Sequence, residues 1–87
     1  MRRLSKKLKD SFSDLFKTSE NKKKNVTIVT VFADSESKSF GAKISKYLLK
    51  ELKIKSELAE NIYDEPFYGL YISEGKDLIE IIVGKKE

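Results

Sequence analysis

The sequence predicts an α+β fold: an N-terminal amphipathic helix, then β-α-β-β-β with a four-stranded mixed sheet. Three observations carry that expectation. Leu4, Leu8, Phe12, Leu15 and Phe16 recur at helical spacing near the N-terminus. Val26-Thr27-Ile28-Val29-Thr30-Val31-Phe32 is an almost unbroken β-branched and aromatic run. Phe67–Ile72 and Leu78–Val83 are strand-like runs around a five-residue connection containing Gly75, the pattern of a hairpin.

Taken in order, the first element is a helix from about Arg3 to Lys17, with Met1 extending its apolar stripe by one turn. Lys6, Lys7, Lys9, Asp10, Ser13 and Asp14 fall mostly on its polar side, and neither proline nor glycine interrupts it. Thr18 to Asn25, with Lys22, Lys23 and Lys24 in a row, reads as a solvated linker. Both faces of the Val26–Phe32 run are apolar enough for a central strand. Asp34, Ser35, Glu36 and Ser37 supply turn and capping residues. From Ser39 to Leu52 the positions Phe40, Ile44, Tyr47, Leu48 and Leu52 repeat as on a helix. Lys43, Lys46, Lys50 and Lys53 lie on or near its outer side, and Gly41 weakens its first turn a little.

Ile54, Ser56 and Leu58 alternate with Lys55 and Glu57, as in a short half-exposed strand. Glu60 to Glu65 reads as a loop ending at Pro66, and Gly84 to Glu87 as a charged tail. The strand–helix–strand unit should be parallel with a right-handed crossover, and the terminal hairpin antiparallel. One helix covers one face of that sheet. The other face lacks cover within residues 25–87, so the N-terminal stripe or an outside partner is expected there.

Charge divides the chain in the same place. Residues 1–24 hold nine basic and three acidic residues, net +6; residues 25–87 hold nine and eleven, net −2. The chain is therefore read as a basic amphipathic helix with its linker (1–24) and a small α+β domain (25–87).

Chemistry is constrained by what is missing. Without histidine there is no ordinary near-neutral proton shuttle, and without cysteine no thiolate, disulfide or thiolate-bound metal. A serine nucleophile has no base. Asp34 with Asp64 or Glu65 could hold Mg²⁺, a use far rarer than capping and turn formation. The expectation is a protein that is not an enzyme, with no catalytic residue, metal, cofactor or small-molecule substrate. Freedom from cysteine favours a cytoplasmic location. No run approaches the roughly 20 apolar residues that span a bilayer, and no signal-peptide segment is seen.

What remains is binding. Leu4, Leu8, Phe12, Leu15 and Phe16, with Arg2, Arg3, Lys6, Lys7 and Lys9 beside them, suit a partner protein, an anionic membrane surface to which the chain would be peripheral, or the chain's own sheet. Burial of each large apolar residue is worth about 1.5–3 kcal/mol. A protein partner or a homodimer is expected. The alternative is a nucleic-acid-associated accessory protein using Lys22, Lys23 and Lys24 with Tyr68 and Tyr71 on the sheet, and Lys53, Lys55 and Lys76 toward phosphates.

The Val26–Phe32 strand leading into Asp34-Ser35-Glu36-Ser37-Lys38, and Pro66 before Phe67–Ile72, Gly75 and Leu78–Val83, resemble a trimmed thioredoxin-like domain. The resemblance implies a redox-dead copy used for binding, since the loop after the first strand holds no cysteine.

Overall fold

A computed structural model describes residues 2–87. Met1, and its place in the apolar stripe, lies outside them. The described elements are α1 (Lys6–Leu15), α2 (Ser19–Lys22), β1 (Asn25–Val31), α3 (Ser35–Leu52), β2 (Glu57–Asn61), β3 (Leu70–Glu74) and β4 (Leu78–Val83). The four strands form one mixed sheet in the order β2-β1-β4-β3. β1 pairs in parallel with both β2 and β4, and β3 pairs antiparallel with β4. The fold is α+β.

β1 is central because its β-branched residues find partners on both sides; Ile28 lies opposite Leu58 on one neighbour and Ile81 on the other. Val26, Ile28 and Thr30 turn to one face with Ile79, Ile81 and Val83, and all six are buried. That face carries the core, closed by Phe40, Ile44 and Leu48 of α3. The opposite face, with Thr27, Val29, Glu80 and Ile82, is half-buried.

The location of α1 corrects the sequence reading. Phe12 and Phe16 join the same core cluster as α3, so α1 lies beside α3 and not across the sheet from it. The Phe12 and Tyr47 rings are 6.5 Å apart, and the Tyr47 hydroxyl donates to the Lys9 carbonyl (3.3 Å). α3 faces β2 through Lys38–Glu60 and the Ser56–Ser45 hydroxyl pair, which leaves α1 the β4–β3 side. The other face of the sheet stays open.

Local chemistry explains the shifted boundaries. α1 starts at Lys6, later than expected, because Ser5 caps it by accepting from the Leu8 N–H. The expected linker contains α2, capped by Thr18, and Asn21 Nδ2 donates to the Leu15 carbonyl that ends α1 (2.7 Å) and to Glu74 (3.2 Å). α3 starts at Ser35 with Asp34 as its cap, four residues before the expected start at Ser39. It ends on Lys53 in the left-handed region (φ 59°), after which the Ile54 N–H returns to the Leu48 carbonyl. Ile54 is thereby buried at the helix end, and β2 begins at Glu57, not Ile54. β2 is an edge strand exposed along its whole length, so the expected half-exposed alternation is absent; Leu58, on the helix side, is 57% exposed.

β3 also starts late. Gly69 (φ +92°) turns the chain, leaving Phe67 outside the strand with its ring against Gly84. A Cβ on Gly84 would lie 2.6 Å from that ring. The expected tail is therefore tied down at its start: Gly84 N–H donates to Gly69 and Lys85 N–H to Phe67. Phe32 lies beyond the end of β1, 55% exposed. The chain runs strand–helix–strand–hairpin after α2, with Pro66 four residues ahead of β3.

Gly41 has a structural reason. Its position faces β1, where a Cβ would stand 2.6 Å from Thr30 Cγ2 and 3.3 Å from Ile28 Cγ2. Gly41→Ala gains up to about 1 kcal/mol of helix propensity and loses about 1–3 kcal/mol to overpacking. The net expectation in urea unfolding is destabilisation; a stabilised variant would show that α3 can lift off β1 at no cost. Phe12→Ala should lower stability by about 3 kcal/mol or more, against a change within about 0.5 kcal/mol for exposed Lys7→Ala.

Candidate functional site

Folding divides the residues singled out at the N-terminus. Phe12 and Phe16 are buried, and Leu4, Leu8 and Leu15 pack partly buried against the same core. The apolar stripe is thus occupied by the chain's own sheet. Arg2 is also engaged internally. Its Nε and Nη2 donate to the two carboxylate oxygens of Glu36, both at 2.9 Å, and Nη2 also donates to the Gly84 carbonyl at 2.6 Å. Its guanidinium lies 4.5 Å from the Phe40 ring centre. Such a fork fixes orientation as well as charge. Arg3, Lys6, Lys7 and Lys9 remain exposed, with Lys9 Nζ 5.7 Å from the Tyr47 ring centre.

With both long helices on one face, charge is sorted by layer more sharply than along the chain. The helical layer, residues 2–24 and 34–53, holds fourteen Lys and Arg against six Asp and Glu, net +8. The sheet with its connections, residues 25–33 and 54–87, holds four against eight, net −4.

Within that layer α3 carries a row of lysines. Lys43, Lys46, Lys50 and Lys53 stand at i, i+3, i+7 and i+10, a stripe about 15 Å long with about 4.5–6 Å of rise between neighbours. Lys46 has Lys43 and Lys50 as helical neighbours, and Lys50 has Lys46 and Lys53. The ion pairs among the described residues are Arg2–Glu36 and Lys38–Glu60, neither of which touches the row. Arg3 and Lys9 border the row across a shallow groove between α1 and α3, of about 620 Å³, with Glu51 as its carboxylate. At its other end Lys53 enters a cleft of about 690 Å³ at the N-terminal edge of β1 and β2. Lys22, Lys24, Lys55 and Glu57 also line that cleft.

Of the residues in the nucleic-acid reading, Lys22 and Lys24 thus meet the row, whereas Tyr68 and Tyr71 do not. Tyr71 pairs with Ile82 on the far edge strand, and Tyr68 bridges to Lys85. A separate aromatic series, Tyr63–Phe67–Tyr71, runs there with ring centres 5.2 and 5.1 Å apart. Lys23 is exposed beside a neighbouring cleft with Lys24 and Lys76. The cationic side chains of this row that sequence reasoning left out of its candidate sites are Lys43, Lys46 and Lys50. Their signal was present as a cationic helical stripe with no acidic residue three or four positions on from Lys43, Lys46 or Lys50.

Asp34 serves as the α3 cap, its Oδ2 accepting from Ser37 N–H at 3.1 Å. Asp64 and Glu65 line a different cleft, of about 310 Å³, with Pro66, Phe67 and Lys85. Among the described residues no group of three or more Asp or Glu side chains is placed to hold a metal, and no helix is long and apolar enough to cross a membrane.

Comparison with family models, curated proteins and solved structures finds no match to this chain.

The Arg2 contact has a pH signature. The Arg2 side-chain hydrogen bonds hold the Glu36 carboxyl below its ordinary value of 4.5, against an opposing push from burial. A carboxyl lowered on folding stabilises the fold above its unfolded value, and that contribution is lost as pH falls through the lowered one. The melting-temperature gap between wild type and Glu36→Gln should therefore be full above 4.5 and close as the solution is acidified. A gap that is independent of pH would remove the ion pair from the account.

Proposed function

We propose that this protein is a non-enzymatic interaction module that holds an anionic partner on the cationic surface of its helical layer. The N-terminal amphipathic helix docks on the chain's own sheet, and in doing so places Arg3 and Lys9 beside the α3 lysines. The observation that carries the reading is the row Lys43–Lys46–Lys50–Lys53, in which like charges stand at helical spacing and no ion pair among the described residues neutralises them. Each such pair costs a few tenths of a kcal/mol in the free protein. A bound anion relieves that cost, and the net −4 of the sheet layer directs the anion to one side.

Burial of Phe12 and Phe16 weighs against the helix acting as a membrane-inserting segment, because the side chains that would enter the acyl layer already fill the core.

Heparin, a soluble polyanion, tests the reading directly. The protein should be retained on immobilised heparin at about 50 mM salt and released by a rising gradient, as expected of charge-driven binding. Passage through the column unretained at low salt would overturn it.

A further inference from the structure

Resting on that reading, we infer that the anionic partner is a nucleic-acid duplex, gripped by its phosphodiester backbone along the Lys43–Lys46–Lys50–Lys53 row and onward to Lys55, Lys22 and Lys24. Three features of the surface select this partner.

The first is shape. The row runs along α3 and then turns into the cleft at the N-terminal edge of β1 and β2, where Lys53 meets Lys22, Lys24 and Lys55. A linear polyanion can follow a row of point charges into a cleft, whereas a planar headgroup layer meets the helix crest alone. The second is the scarcity of apolar anchors. Membrane-surface helices insert an apolar face. Among the large apolar side chains of α1 and α3, Leu49 is the exposed one.

The third separates a duplex from a single strand. Single-strand binding without sequence preference relies on aromatic rings that stack on unpaired bases. Along the row the nearby ring is Tyr47, which is half-buried, sits under Lys9 Nζ and donates its hydroxyl to the Lys9 carbonyl. The exposed tyrosines, Tyr68 and Tyr71, lie at the far strand edge. A duplex keeps its own bases stacked and offers one charge per about 1.7 Å of axis, so a row about 15 Å long meets several phosphates. Contact is to phosphate alone, and binding is independent of sequence.

The test is a fluorescence-anisotropy titration of the full chain with a labelled duplex of about 20 base pairs across about 50–200 mM salt. Lys46→Gln/Lys50→Gln is compared with Lys85→Gln/Lys86→Gln, a charge-matched control at the opposite end of the sheet. All four side chains are exposed, and thermal melts confirm that both variants fold. The expected result is salt-dependent duplex binding indifferent to base sequence. The Lys46/Lys50 pair should weaken it about tenfold or more at the lowest salt and reduce the log–log salt slope by about 2, one for each phosphate that goes unneutralised. The control should leave both unchanged.

Equal weakening in the two variants would remove the row as the site. Stronger binding to an unpaired strand of equal length would overturn the duplex assignment. Binding to phosphatidylcholine vesicles containing about one-third phosphatidylserine, with none to the duplex, would overturn the inference and leave the anionic-partner reading standing. Retention by neither duplex, vesicles nor heparin would end both.

Discussion

Four strands spaced about 4.8 Å apart make a sheet close to 20 Å wide, and packed helices stand about 8–10 Å apart. One helix therefore covers about half of such a sheet. α3 lies over β1 and meets β4 at one end through Ser37, and the rest of the Ile79–Ile81–Val83 row is open to water unless a second helix lies beside it. α1 fills that half with Phe12 and Phe16. This constraint makes the N-terminal segment part of the core and leaves its polar side as part of the outer surface. Charges far apart in the chain, Arg3 and Lys9 on one side and Lys43 to Lys50 on the other, become neighbours for that reason.

Where the sequence pattern was local, it was sufficient. The β-branched run of β1, the Phe40–Ile44–Leu48 repeat and the Gly75 hairpin each encode their own element within a few residues. The displaced features depend on single backbone conformations or on distant partners. β2 begins late because Lys53, a residue with no conformational signature of its own, takes the left-handed form and draws Ile54 into the core. β3 begins late because Gly69 turns the chain and Phe67 finds the surface of Gly84, on the far side of the hairpin. The side chosen by α1 depends on strand order, and strand order is set by β4 joining β1 in parallel. No periodicity within the N-terminal segment contains that information.

The candidate site was legible to a similar degree. Lys22 and Lys24 were marked by composition, and Lys55 by the expectation that it faces phosphates. The α3 lysines were visible as an outer helical side, a pattern that solvation alone explains in most helices. What gives them weight is tertiary: the acidic residues that balance the chain's total charge were moved to the other layer. A total of +4 is compatible with a mixed surface, and the fold makes it a polarised one.

Ser37 shows how tightly the helical layer is bound to the sheet. It is fully buried, its hydroxyl accepting from the Val31 N–H (3.0 Å) and donating to the Val83 carbonyl (2.8 Å). The amide of the last residue in β1 is thus protected by a helix side chain and not by a neighbouring strand. Detaching the first turn of α3 strands that donor and the β4 carbonyl together, each at the cost of a buried polar group without a partner. Hydrogen exchange at Val31 would then report on helix docking, and the carboxyl ends of β1 and β4 would open with α3 as one cooperative unit.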